Sequence, residues 1–85
     1  MPWGNVTVTG QDGRDIYVDG VYDSPRDKAP GPFLVSYGLH TFETLDAQQR
    51  VNFSGNATVD KDHQDVSIAL SPFPPPKPVP SPNKA

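Results

Sequence analysis

Two histidines, one glutamate, a run of aspartates and a Pro-x-x-Pro-x-Lys segment are the residues of this 85-residue chain that could carry chemistry or recognition. His40 and His63 would act as acid–base groups or metal ligands only if the fold converged them with carboxylates. His40 closes the turn-like tripeptide Gly38-Leu39-His40, which points to a structural hydrogen-bonding role. His63 lies in the polar run Asp60-Lys61-Asp62-His63 and reads as solvated surface. Asp60, Asp62 and Asp65 have the oxygen chemistry Ca²⁺ prefers. Position six of that loop is Asp65 where an EF-hand needs Gly, however, and position twelve is Ser71 rather than Glu. The cluster therefore reads as an ordinary polar turn. Glu43 is the only glutamate, so paired glutamates are impossible, and no nucleophile elbow or phosphate-cradling glycine loop occurs. The expectation is a protein that is not an enzyme, with no catalytic residues, no metal site and no cofactor.

Recognition chemistry is better represented. Pro72-Phe73-Pro74-Pro75-Pro76-Lys77 fits the Pro-x-x-Pro-x-basic pattern, and a preformed polyproline II segment loses little entropy on docking. The bland alternative is a stiff spacer. Phe73 favours docking, because a spacer has no use for a large apolar ring. Trp3, near the other terminus, is a second interface anchor or else a cover for one end of the body. The expected partner-binding residues are thus Trp3, Pro72, Phe73, Pro75, Pro76, Lys77 and Pro78. Tyr17, Tyr22 and Tyr37 supply a different possibility, an aromatic surface for carbohydrate. Asn5-Val6-Thr7, Asn52-Phe53-Ser54 and Asn56-Ala57-Thr58 fit the N-glycosylation pattern. They are read as coincidence in a Thr- and Ser-rich strand background.

The elements that must position these residues are short and β-like. Val6-Thr7-Val8-Thr9 alternates with β-branched side chains. Asp15 to Asp19 places Ile16 and Val18 on one face, Asp19-Gly20 is a two-residue turn signal, and Val21-Tyr22 is expected to run back. Ser24 to Pro32 holds three prolines and reads as a surface loop. Phe33 to Tyr37 is an apolar strand expected to be buried on more than one face or covered by that loop. Thr41 to Leu45 puts Phe42 and Thr44 on one face. Asp46 to Gln49 is too short for a lasting helix. Arg50 to Val59 is a strand with Gly55 as a candidate bulge. Val66 to Leu70 closes the body. The spacing predicts an all-β fold: a small six- or seven-stranded antiparallel β-sandwich or partly open barrel with an extended Pro-rich C-terminal tail. The expected core is Val6, Val8, Ile16, Val18, Phe33 or Leu34, Val35, Phe42, Val51, Phe53, Val59, Val66, Ile68 and Leu70.

The chain divides at Leu70/Ser71 into a body, residues 1–70, and a tail, residues 71–85, that holds seven of the eleven prolines. A body of about 70 residues is marginal in stability, and without cysteine no disulfide assists it. Such a body gains from a partner. The net charge of −3 splits into −5 on the body (ten acids, five bases) and +2 on the tail (Lys77, Lys84). No basic stripe exists for nucleic acid, so that class of partner is not expected. No apolar run is long enough to span a membrane. Met1-Pro2-Trp3-Gly4 does not open a signal peptide.

The order of landmarks resembles the PEGA domain family over about residues 4–72. The matching residues are Ile16-Tyr17-Val18-Asp19-Gly20, Pro25 in the following loop, Leu34 through Gly38-Leu39-His40 leading into Phe42, and Val66-Ser67-Ile68-Ala69-Leu70-Ser71-Pro72. The Pro-Glu-Gly-Ala tetrapeptide itself is replaced by Gly10-Gln11-Asp12-Gly13-Arg14-Asp15. The resemblance implies a small non-catalytic β-sandwich accessory module, usually outside the cytoplasm on bacterial surface or envelope proteins. The expected function is a non-enzymatic accessory or structural subunit. It binds a larger, membrane-associated protein assembly, and the tail docks on or tethers to a partner. The alternative is a carbohydrate- or cell-wall-binding surface module. Compartment and partner identity stay open at this stage.

Overall fold

Period-two alternation organises the chain, because one face of each strand must be buried and the other wet. The computed structural model describes residues 2–79, all of whose regular elements are strands. β1 (Trp3–Thr9) buries Gly4, Val6 and Val8 and turns Trp3, Asn5, Thr7 and Thr9 outward. β2 (Asp15–Val18) buries Ile16 and Val18. β3 (Asp27–Lys28) is an exposed two-residue edge, and β4 (Phe33–Ser36) buries Phe33 and Val35. β5 (Gly38–Leu45), β6 (Arg50–Val59), β7 (Asp65–Ala69) and β8 (Ser71–Pro78) complete the set.

The strands form two sheets, a three-stranded one in the order β4-β1-β7 and a five-stranded one in the order β3-β2-β5-β6-β8. The all-β, sandwich-like expectation is met at that level. Seven strands fall within residues 1–70, as many as expected of the body, and the eighth, β8, comes from the Pro-rich segment. The pairing is not wholly antiparallel: β1 and β7 run parallel, from Asn5↔Asp65 to Thr9↔Ala69. Ser71–Pro78, read from the sequence as part of an extended tail, lies along β6 as β8. Residues 80–85 lie outside the described residues.

The buried cluster joins Val6, Val8, Ile16, Val18, Ala29, Phe33, Val35, Phe42, Ala57, Val59 and Leu70, with Tyr37, Phe53, Val66 and Ile68 packed at its margin. Val51 is also buried. The rings of Phe33 and Phe42 sit 5.9 Å apart at 59°, a tilted pair that links the two sheets. Leu34 is 58% exposed, so β4 is buried on one face only, contrary to the two-faced expectation.

Two local expectations are corrected. The Asp19-Gly20 turn forms, with the Val21 amide donating to the Val18 carbonyl at 3.1 Å and Asp19 at φ 56°. Val21-Tyr22 does not return as a strand, however; β3 pairs with β2 instead, through Asp15↔Lys28 and Ile16↔Asp27. Gly55 is not a bulge, because its register with Phe42 is continuous. A Cβ there would stand 2.9 Å from Leu70 Cδ2, so the residue is small to admit Leu70. The irregularity lies at Asn52, between Thr44↔Phe53 and Leu45↔Val51. Asp46–Gln49 is a tight turn: the Asp46 carboxylate accepts the Gln48 and Arg50 amides, both at 2.9 Å.

Candidate functional site

The residues expected to bind a partner fall into two separated patches. Trp3 is on the outward face of the three-stranded sheet, 45% exposed, opposite Ser36. Leu34, also outward and exposed, pairs with Asn5 and so stands diagonally across from Trp3. The neighbouring Gly4 abuts Val59, at the far end of β6. Pro72 to Pro78 instead run beside Arg50 to Phe53 at the start of β6. Six residues along a strand span about 20 Å, so Trp3 and Phe73 do not share one surface.

The β8 patch has an unusual register. Pro72 pairs with Phe53 and Lys77 with Val51. Two steps of β6, about 7 Å, thus face five steps of β8, which reach about 16 Å when extended. The surplus, Phe73 to Pro76, must leave the line of β6 as an arch opposite Asn52. Phe73 is 40% exposed, and of the arch only Pro76 is half-buried. The prolines of β8 carry no N–H, so this edge cannot template another strand. The arch is flanked by cations. Lys77 and Arg50 are on the paired segments, and the Arg14 guanidinium lies 5.9 Å from the Phe53 ring centroid. Sequence reasoning found the β8 residues by composition but not Arg14 or Arg50, and the arch itself depends on pairing across strands.

The two histidines occupy separate turns. His40 Nδ1 lies 2.6 Å from Asp19 Oδ2, and its Nε2 lies 2.7 Å from the Ser36 carbonyl oxygen. Asp19 also accepts the Thr41 amide at 3.0 Å, so one carboxylate ties the β2 turn to β5. Burial opposes charge on Asp19. The His40 and Thr41 hydrogen bonds, with the charges of His40 and Arg26, outweigh it and hold the carboxyl below its ordinary range. The turn at Asp19-Gly20 and the segment Gly38-Leu39-His40 are therefore in contact. His63 is exposed and meets Asp60 at 3.0 Å. Asp60 also accepts the Asp62 amide, whereas Asp65 moves onto β7 and accepts from Asn5 Nδ2 at 3.3 Å. Among the described residues no group of three or more His, Asp or Glu is placed to hold a metal ion.

The three tyrosines do not form one platform. Tyr37 packs at the core margin and accepts from Gln64 Nε2 at 3.0 Å. Tyr17 and Tyr22 sit together, ring centroids 6.3 Å apart. The Tyr22 hydroxyl donates to Glu43 Oε1 at 2.5 Å. Glu43 is only 7% exposed although strand parity turns it outward, between Phe42 and Thr44 that face the core. Burial, then the bond to Glu43 and the Glu43 charge, push the Tyr22 phenol far above its ordinary value, so it remains a donor. The sequence offered no signal for this carboxylate, because its cover comes from a loop residue twenty-one positions away. The three sequon asparagines lie in strands with engaged side chains. Asn5 donates to Asp65, while Asn52 and Asn56 accept from Thr44 (2.6 Å) and Thr41 (2.9 Å).

No family model, no curated protein and no solved structure matches this chain. No helix among the described residues is long and apolar enough to cross a membrane.

Proposed function

We propose that this chain is a non-enzymatic accessory subunit that binds a larger protein assembly at a membrane or envelope surface, using the Phe73–Pro76 arch of β8 as its contact. One observation carries the reading: a large aromatic side chain held 40% exposed on an edge strand whose prolines exclude strand addition. Exposed aromatic anchors on stiff backbone lose little entropy on docking and dominate interface energies. Flanking cations at Arg14 and Lys77 add charge to the rim. Trp3 and Leu34, on the other sheet, supply a second and separate contact. The PEGA-like order of landmarks is consistent with an envelope accessory role and is part of the proposal.

The test is affinity retention of native complexes on tagged full-length protein, wild type against Phe73→Ala and Trp3→Ala. Loss of a defined co-purifying assembly with Phe73→Ala, about ten-fold or more, is expected for an anchor residue. Unchanged retention in both variants would overturn the reading.

A further inference from the structure

We propose that Tyr17, Tyr22 and Glu43 form a receptor for an ammonium group on the outward face of the five-stranded sheet, independent of the β8 arch. The argument begins with the carboxylate. Phe42 and Thr44 point into the core, so Glu43 points out, yet it is only 7% exposed. Tyr22 covers it from the loop, and Tyr17 is its cross-strand partner on β2. Cβ atoms of such partners stand about 5 Å apart.

Burying a carboxylate is costly unless it is paired. Glu43 has one neutral donor, the Tyr22 hydroxyl, on Oε1. Among the described residues its other oxygen takes no side-chain hydrogen bond, and no cation lies within ion-pair distance. Three of the body's cations have partners of their own: Lys28 meets Asp15 at 2.6 Å, Arg26 donates to the Leu34 carbonyl at 3.0 Å, and Arg50 lies 3.3 Å from Asp46. The carboxylate is thus largely covered by Tyr22 yet keeps its second oxygen open to solvent, where an incoming cation can meet it.

The surroundings specify what would arrive. Ring faces attract cations held within about 6 Å of their centroids, and two rings stand 6.3 Å apart beside the carboxylate. Ser54, the partner of Glu43 on β6, adds a hydroxyl to the same row. An acidic body, −5 over residues 1–70, draws cations toward the surface. A primary or methylated ammonium satisfies all of these, whether on a free amine or on a lysine side chain of a partner protein.

The experiment is a ¹H–¹⁵N NMR titration of the full chain with Nα-acetyl-lysine methylamide, its trimethyl-lysine analogue, and a short extended peptide carrying one lysine. Norleucine methylamide is the neutral control, and glucose and N-acetylglucosamine are the sugar controls. Saturable shifts at Tyr17, Tyr22, Glu43 and Ser54 are expected, with norleucine at least about ten-fold weaker. Glu43→Gln and Tyr17→Leu should each weaken the lysine compound by a similar factor. If Glu43→Gln does not fold, Tyr17→Leu and the neutral control still decide. Tighter binding of the peptide than of the free compound points to a protein lysine, and equal binding to a small amine; both support the receptor. The proposal is overturned by no saturation at about 50 mM, by equal binding of norleucine, or by shifts that only the sugars produce.

Discussion

β6 has one closed half and one open half. From Gly55 to Val59 it lies against β1 and β7 with almost no room to spare. A Cβ on Gly4 would overlap Val59 Cγ1 and stand 2.8 Å from the Gln64 carbonyl oxygen, and Leu70 fills the space over Gly55. From Arg50 to Phe53 the same strand is bordered by a proline segment longer than the edge it covers. The contrast teaches that residue size, not strand length, decides where the two sheets can close. Glycine admits a neighbouring layer; proline and phenylalanine keep the other end open to solvent. Stability is therefore expected to concentrate at the closed half and recognition at the open half.

Breaking the closed half should give the largest effect. Gly4→Ala places a methyl where Val59 and a backbone carbonyl already stand, and backbone cannot move as a flexible side-chain tip can. Overpacking of this kind costs roughly 1–3 kcal/mol, with the upper end expected here. Urea unfolding followed by tryptophan fluorescence of Trp3 would read it as a lower midpoint with an unchanged slope. A cost below that of a surface substitution would mean the two layers are looser than the contact implies.

The row Tyr17–Glu43–Ser54–Ser71 crosses β2, β5, β6 and β8 and joins the two halves. Tyr22→Phe keeps the ring and removes the only side-chain donor to Glu43 among the described residues. Leaving a buried acceptor unsatisfied costs about 1–3 kcal/mol. The loss falls toward the lower end because the carboxylate keeps one oxygen open to solvent, so water can replace the lost donor. Calorimetric unfolding of Tyr22→Phe against wild type measures it, and no change would show that water already serves this carboxylate.

How much of this was legible in the sequence follows from which interactions are local. Val6/Val8 and Ile16/Val18 announced their faces because alternation needs only one strand. Asp19-Gly20 announced its turn because both residues tolerate positive φ. The parallel β1–β7 pair and the course of β8 were not legible, since each depends on residues tens of positions apart. Proline is a poor reporter of strands, so Ser71–Pro78 read as a tail although its ends pair with β6. Ala29 and Ala57 were missed in the core because small residues carry little hydrophobic signal. Leu34 misled for the converse reason, being apolar on a wet face. The arch and the Glu43 cover both arise from pairing register and a loop contact, which no window along the chain contains.

Acid should loosen the closed half by a smaller amount. Asp19 links the β2 turn to His40 and Thr41, beside the segment of β5 that pairs with Ala57. Its folded pKa is depressed. Its contribution is therefore fully present above the unfolded carboxylate value and is lost as pH falls through the lowered folded value. The side chain is 44% exposed, so solvent screening holds the effect to roughly 0.5–1 kcal/mol. Asp46 and Asp60 are depressed too, and both proteins in a comparison lose those contributions in acid. The difference in urea midpoint between wild type and Asp19→Asn isolates the one link. It should be clear at pH 7 and close to zero at about pH 2. A gap independent of pH would assign the turn's stability to its backbone bonds instead.

The smallest expected effect on stability is also the sharpest test of the contrast. Phe73→Ser removes an aromatic ring that is 40% exposed and lies in the part of β8 without register partners on β6. Surface substitutions away from caps and cavities shift stability by about 0.5 kcal/mol or less, so the unfolding midpoint should barely move. Retention of a partner assembly should fall about ten-fold or more if Phe73 is an anchor. The opposite pattern, with stability lost and retention unchanged, would mean the ring seals the end of the sheet. The open half of β6 would then be a second closed one, with proline and phenylalanine performing the packing that glycine permits at the other end.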